Sequence, residues 1–283
     1  RQIGFVGLGA MGSVMAPLPA RAGFTVLGFD TAAQRPDVPN VATATSLADM
    51  VACDAIITML PDGAVVTAVA TALAEAGFRG LLIDMSSSHP DDTIKLGKTS
   101  AAHGISLIDA PVSGGVKKAA AGTLMVMAGG AEDDVAAAHA LIDCFGTMHR
   151  VGPLGAGHAM KALNNYVSAA GLIASFEALA TARDLGIAPE RFLEVINRST
   201  GRNNTTEAKI ARYVVSEAYN SGFDLRLMAK DVAIAASLAE TGGFDGPVTD
   251  AVRQFLQDGL ASLGDAADHT ELYLGITKGR GGS

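Results

Sequence analysis

The sequence predicts an α/β N-terminal domain with a mostly parallel sheet, followed by an all-α C-terminal domain. Three observations lead there. Over the first half, short apolar runs alternate with Ala-rich stretches of helical length, the spacing of strands joined by helices on both faces of a sheet. The apolar runs are nearly continuous in Ile, Leu and Val, as strands are when both of their faces are covered. From residue 156 onward no strand pattern appears, and Ala- and Leu-rich segments take over.

Strands are expected over 2–7, 25–29, 55–60, 81–85, 106–110 and 123–128, with helical segments at 46–51, 64–76 and 90–103. Residues 156–185 read as one buried helix. At 1.5 Å per residue it would be about 45 Å long, enough to bridge two domains. Further helices are expected at 189–197, 206–214, 225–241, 247–260 and 268–273, and a disordered Gly-rich tail at 278–283. The expected domains are 1–154 and 155–283. Pro17 and Pro19 fall in the second turn of the helix expected after the first strand. An interior proline costs about 3 kcal/mol, so that helix should kink or restart.

Composition removes several function classes. A chain of 283 residues with 49% hydrophobic content can bury the cores of two domains. Its net charge of -8, with no basic run longer than Lys117-Lys118, argues against a nucleic-acid partner, which needs Lys and Arg to neutralise phosphates. No apolar run reaches the ~18 residues of a membrane helix. The apolar stretch 3–9 is too short for a signal peptide and is broken by glycine. Cys53 and Cys144 read as two thiols in a reducing cytoplasm, with a single disulfide as the other reading. The six histidines form no H-E-x-x-H, and no metal site is expected. The expectation is a soluble cytoplasmic protein that has lost a few native residues before Arg1.

Gly7-Leu8-Gly9-Ala10-Met11-Gly12 matches G-x-G-x-x-G between an expected strand and an expected helix, the context of a Rossmann-type dinucleotide site. Gly7 permits the tight turn, Gly9 admits the pyrophosphate, and Gly12 lets the helix pack on the sheet. The N–H groups at the helix start then face the phosphates. The second strand ends at Phe29-Asp30. A carboxylate there accepts from the ribose hydroxyls and repels a 2′-phosphate, so Asp30 points to NAD, with NADP as the alternative. The plainer reading is a surface aspartate capping the next turn. Arg35 is close enough in sequence to soften the preference.

Two further stretches carry chemistry. Ser113, Gly114 and Gly115 would present a hydroxyl and backbone N–H groups in one concavity suited to a carboxylate, or form an ordinary glycine turn. On the long helix, Lys161, Asn164 and Asn165 stand at i, i+3 and i+4 and share a face. They form either a polar site on an apolar helix, a solvated edge, or a lysine pairing an acid.

With GFVGLGAMG at 4–12, MLPD at 59–62, DAPVSGGV at 109–116, GTLMVMAGG at 122–130, GAGHAMKALNN at 155–165 and FDLRLMAKD at 223–231, the chain closely resembles the β-hydroxyacid dehydrogenases over nearly its whole length. The resemblance implies a C-terminal domain like that of 6-phosphogluconate dehydrogenase. It implies hydride transfer between NAD and a small 3-hydroxy acid, or reduction of the semialdehyde in reverse. Position by position, it implies that Lys161 is the catalytic lysine and that Ser113, Gly114 and Gly115 hold the substrate carboxylate. Asn164 would contact substrate with help from Asn165. Leu60 and Pro61 would pack on the cofactor, and Ser87 would stand beside the nicotinamide ribose. Lys230 would close over the cofactor, oriented by Asp231.

Lys161 would act as general base in the oxidative direction, and its apolar helix face would favour the neutral amine. Arg202 or Asn203 would either meet a second polar group of the substrate or belong to a helix cap over 203–206. Lys117 and Lys118 would either recruit an anion or form a solvated helix start. An imine reductase, which resembles this fold but generally lacks the lysine, is the rival enzyme. A non-catalytic dinucleotide-binding module is the rival from another class. The helical domain is too small to cover its long helix, so a homodimer or homotetramer is expected.

Overall fold

A computed structural model of the chain describes residues 1–32 and 37–278. Arg35 and the tail 279–283 lie outside the described residues. The chain divides into two compact units, 1–161 and 162–283.

The first unit runs β1 (Gln2–Val6), α1 (Gly12–Met15), α2 (Pro17–Arg21), β2 (Thr25–Phe29), β3 (Ala42–Thr43), β4 (Ala55–Thr58), α3 (Gly63–Ala76), β5 (Leu81–Asp84) and α4 (Pro90–Ala101). It continues through β6 (Ser106–Asp109), β7 (Val112–Ser113), α5 (Gly115–Ala120), β8 (Leu124–Gly129), α6 (Glu132–Ile142) and β9 (Gly146–Gly152). The segment expected as a helix at 46–51 is a 3-10 turn, Leu47–Met50, closed by a Ser46/Asp49 capping box.

Among the described residues, nine strands form one sheet in the order β3-β2-β1-β4-β5-β6-β8-β7, with β9 paired to β8. From β3 to β6 every pairing is parallel. Alternate residues feed opposite faces. Ile3, Phe5, Ile57 and Ile83 join one core, and Val6, Ile56, Leu82 and Leu107 join another. The near-continuous apolar runs therefore mark strands covered on both sides.

The alternation predicts a parallel β8, but β8 lies antiparallel to both β6 and β7. A parallel return needs a crossover that spans the strand length. The six-residue α5, about 9 Å long at 1.5 Å per residue, is too short for that. The chain turns back as a hairpin instead.

The two prolines restart the helix. Ala16 keeps helical angles between α1 and α2, and Pro17 takes the first position of α2, where its missing N–H is not needed.

The helix α7 (Ala156–Asp184) crosses from the first unit into the second. It is followed by α8 (Pro189–Ile196), α9 (Asn204–Ala208), a π-helical turn Ile210–Val215, α10 (Leu225–Thr241), α11 (Pro247–Leu263), a 3-10 turn His269–Glu271 and α12 (Leu272–Lys278). Leu172, Phe176, Leu225, Met228, Leu256 and Tyr273 share the core of this unit. The single helix expected over 206–214 is two elements. Asn203 Oδ1 accepts the N–H of Thr205 at 2.8 Å and starts α9 early, and the helix breaks at Lys209 into the π-helical turn. α7 is not buried all round, since Met160, Leu163 and Val167 are exposed along one stripe. No helix among the described residues is long and apolar enough to cross a membrane.

Candidate active site

The sheet order fixes where a ligand can sit. β1 pairs with β2 on one side and β4 on the other, so the connections after β1 and β4 part at their carboxyl ends. Such a switch point leaves a crevice that accepts ligands. The expected glycine loop lies there. Gly7 has φ +97°, and its N–H donates to Phe29 O at 2.9 Å. A Cβ on Gly12 would overlap the carbonyl oxygen of Gly7. Those two glycines are demanded by the protein itself.

Gly9 is different. A Cβ there would meet no protein atom within 4 Å. The Ser13 N–H donates to Gly9 O at 2.9 Å, so Ala10, Met11 and Gly12 occupy the first turn, where N–H groups lack helical partners. The vacant space over Gly9 and the helix start beside it fit a pyrophosphate.

Asp30 follows β2 and turns its carboxylate back onto the loop. Oδ2 accepts the Leu8 N–H at 2.6 Å and Oδ1 the Ala32 N–H at 2.8 Å. A carboxylate offers about four acceptor positions, which leaves room for ribose hydroxyls. Asp30 thus shapes the loop as well as capping its own turn. Leu60, after β4, donates its N–H to Ser86 Oγ at 2.9 Å. This links the 59–62 turn to the loop carrying Ser87. Pro61 is exposed at the rim of that turn, and Asp62 caps α3 through the N–H groups of Ala64 and Val65.

The second loop leaves β6 at Asp109. Ser113 pairs with Met125 in β7, and Gly114 and Gly115 follow at φ +142° and +72°. Successive positive angles suit glycine alone. They turn the chain into α5, on which Lys117 and Lys118 are exposed. Asp109 itself is fully buried. Its carboxylate accepts the N–H of Gly155 and the N–H of His158, both at 2.7 Å. Burial pushes its pKa up, while the neighbouring His158 and the two backbone N–H groups pull it down. A Cβ on Gly157 would overlap Met127 O, so the backbone of α7 seats directly on the ends of β6 and β8. That explains why the first turns of α7, including Lys161, pack with the N-terminal unit.

Further along α7 the two asparagines form a chain of hydrogen bonds. Asn164 Nδ2 donates to Asn165 Oδ1 at 3.0 Å, and Asn165 Nδ2 donates to Asp231 Oδ2 at 2.5 Å. Asn165 is 7% and Asp231 2% exposed. An ionised carboxylate only accepts, so it fixes the direction of the chain. Asn165 must present its NH2 to Asp231 and its carbonyl to Asn164. Beside that bond Asn164 has its own carbonyl and one further N–H to offer. Lys230, next to Asp231 on α10, is half-buried. Asn203 belongs to the cap of α9 and also donates to Ser175 Oγ at 2.9 Å, while Arg202 pairs with Glu207 at 3.6 Å.

The sequence matches a family model for the NAD-binding domain of 6-phosphogluconate dehydrogenase over residues 2–155. It matches a second, described as the NAD-binding of NADP-dependent 3-hydroxyisobutyrate dehydrogenase, over residues 155–275. A 2-(hydroxymethyl)glutarate dehydrogenase of Eubacterium barkeri is 35% identical, across 92% of this chain and 89% of the relative. The chain belongs to the β-hydroxyacid dehydrogenase family. A solved Mycobacterium tuberculosis 3-hydroxyisobutyrate dehydrogenase with L-serine superposes with a TM-score of 0.89, at 31% identity, covering 97% of this chain and 98% of that one. An imine reductase from Myxococcus stipitatus shares the fold, with a TM-score of 0.67 at 18% identity, covering 96% of this chain and 99% of that one. The family carries the α/β plus all-α architecture expected from the sequence, and its cofactor is a nicotinamide dinucleotide.

Sequence reasoning missed Asp84, Ser86 and His158 as parts of this framework. The available signal was an aspartate closing an apolar strand and a histidine in a turn of small residues.

The contrast between the glycines is testable. Gly9→Ala is expected to leave the melting temperature within about 1 °C while weakening NAD binding at least roughly tenfold, because its methyl intrudes only on the ligand. Gly12→Ala should lower both. Isothermal titration with NAD and a thermal melt measure the two effects, and normal NAD affinity in Gly9→Ala would remove the cofactor from this loop.

Proposed function

We propose that the protein oxidises a small 3-hydroxy acid with NAD, or reduces the corresponding semialdehyde in reverse. The observation that carries this reading is the base of α7. The carboxylate of Asp109, from which the Ser113–Gly115 loop departs, also holds the N–H groups of Gly155 and His158, six and three residues before Lys161. One buried anchor thus supports both the loop suited to a carboxylate and the helix that carries the lysine.

The names of the relatives narrow the substrate. 2-(Hydroxymethyl)glutarate, 3-hydroxyisobutyrate and L-serine share one skeleton, HO–CH2–CHR–COO−, and differ in R. We assign that skeleton to this protein. Ser113, Gly114 and Gly115 bind its carboxylate. Asn164 meets the hydroxyl end, with Asn165 held behind it by Asp231. Lys161 in its neutral form takes the hydroxyl proton on Nζ as the alcohol becomes a carbonyl, and returns it in the reverse reaction. NAD, when bound, supplies the acceptor for the hydride leaving the carbinol carbon. Gly7 to Gly12 bind its pyrophosphate, Asp30 its ribose and Leu60, Pro61 and Ser87 its nicotinamide half, with Lys230 closing over it. The carboxylate of Asp30 disfavours a 2′-phosphate, which ranks NADP second.

Lys161 weighs against an imine reductase and against a non-catalytic module. The two free thiols Cys53 and Cys144 fit a cytoplasmic protein. Met160 at 42%, Leu163 at 43% and Val167 at 66% exposure lie at i, i+3 and i+7 on α7, and such a stripe supports a homodimer or homotetramer formed through the helical domain. Light scattering should then give at least twice the chain mass, and a monomer at working concentration contradicts it.

The function is tested by absorbance at 340 nm with NAD and a set of 2-substituted 3-hydroxypropanoates. Turnover is expected with at least one of them, and Lys161→Ala should lower kcat by about 10²–10⁴-fold, the range for loss of a general base. Wild-type turnover unchanged in Lys161→Ala would end the assignment of the lysine. Silence across the set with NAD still bound would end the substrate class.

A further inference from the structure

A buried ionisable group lies behind the residues assigned above. Asp84 closes β5 and Asp109 closes β6, and both are at most 1% exposed. His158, in the first turn of α7, is equally buried. Its Nδ1 stands 2.8 Å from Thr93 Oγ1 on α4. Its Nε2 faces Asp84 Oδ2 at 3.6 Å, and Nδ1 is 3.8 Å from Asp109 Oδ2.

The two carboxylates are satisfied largely by other donors. Asp84 Oδ1 accepts Thr58 Oγ1 at 2.9 Å and the Ser86 N–H at 3.0 Å. Asp109 takes the two N–H groups of α7. The imidazole adds no hydrogen bond to either carboxylate, and its Nε2 has no hydrogen-bond partner of its own. What it adds is position. The backbone N–H groups on Asp109 and the close seat of Gly157 fix how near α7 approaches the sheet. A side chain reaching sideways, hydrogen-bonded to Thr93 and facing Asp84, adds resistance to rotation of the helix about its axis.

Each partner leads to a different part of the site. Asp84 precedes the Ser86–Ser88 loop, which holds the Leu60 N–H. Asp109 precedes the Ser113 loop by four residues. His158 stands three residues before Lys161, nearly one turn below it.

We propose that His158 is a positioning residue, whose buried imidazole, hydrogen-bonded to Thr93 and packed facing Asp84, sets the rotation of the first turns of α7 and so the direction of Lys161. The proposal rests on the reading of Lys161 as the proton acceptor. It does not make His158 a proton donor to the substrate. Misplacement of a reacting group by about 1 Å can cost roughly 10²-fold in rate, and a small rotation of α7 moves the end of a lysine by that much.

The test uses His158→Asn, which keeps a partner for Thr93 but cannot reach Asp84, and Thr93→Val, which keeps volume and removes the hydroxyl. Steady-state kinetics give kcat and KM, titration gives NAD affinity, and amide hydrogen exchange reads residues 156–161 against the strands of the sheet. The expected result is a kcat lower by about 10²-fold in His158→Asn and about tenfold in Thr93→Val. NAD affinity and KM should stay within about twofold, and exchange should rise in 156–161 alone. Normal kcat in both folded variants overturns the proposal. So does exchange that rises across the whole unit together with the loss of rate, which makes His158 a core residue only. If the wild type turns over no 3-hydroxy acid, the functional reading fails by itself, and the exchange measurement decides the positioning claim: a local rise in 156–161 supports it, and unchanged exchange there overturns it.

Discussion

The carboxylate of Asp109 is the constraint on which the rest of the site depends. It is fully buried at the end of a central parallel strand, and an uncompensated charge in that place costs several kcal/mol. The compensation comes from another element, the start of α7, which places the His158 side chain beside the carboxylate and two backbone N–H groups on it. The helix cannot leave without stranding the carboxylate. The loop of Ser113, Gly114 and Gly115 grows from the same strand end. Its geometry and that of α7 are thus tied to one point, though residues 109 and 158 are far apart in the chain. Asp84 repeats the arrangement one strand over, holding the Thr58 hydroxyl and the Ser86 N–H.

Features decided by local backbone chemistry were legible in the sequence. The glycine loop is one, because a positive φ at Gly7 and the overlap awaiting any side chain at Gly12 are demands of a few neighbouring residues. The strand Thr25–Phe29 and the helix Leu225–Thr241 kept their expected bounds, since their patterns are uninterrupted. Pro17 and Pro19 announced a restart, which occurs at Pro17. Features decided at a distance were hidden. The reversed direction of β8 follows from the shortness of α5, and no periodicity reports it. The break at Lys209 falls inside a segment whose composition reads as plain helix. Nothing in the spacing of Asp84, Thr93 and His158 says that they meet.

The candidate site divides the same way. Loop residues such as Gly9 and Gly115 were readable as backbone devices. The lysine and two asparagines were readable as one face of a helix. The direction in which the asparagines donate was not readable, because it is set by Asp231 from another helix. That direction matters chemically, since it decides which atoms Asn164 has left to offer. The chemistry thus rests on two layers. The inner one is the set proposed to bind substrate and cofactor. The outer one, made of buried carboxylates, holds the inner one still.

A crystal structure of the protein with NAD and a 2-substituted 3-hydroxypropanoate bound would show directly whether these residues meet the ligands as proposed. The pyrophosphate is expected over Gly9, the substrate carboxylate on Ser113, Gly114 and Gly115, and the hydroxyl oxygen about 3 Å from Lys161 Nζ, within hydrogen-bond reach. A carboxylate held elsewhere, with Lys161 separated from the hydroxyl by more than one water, would contradict it.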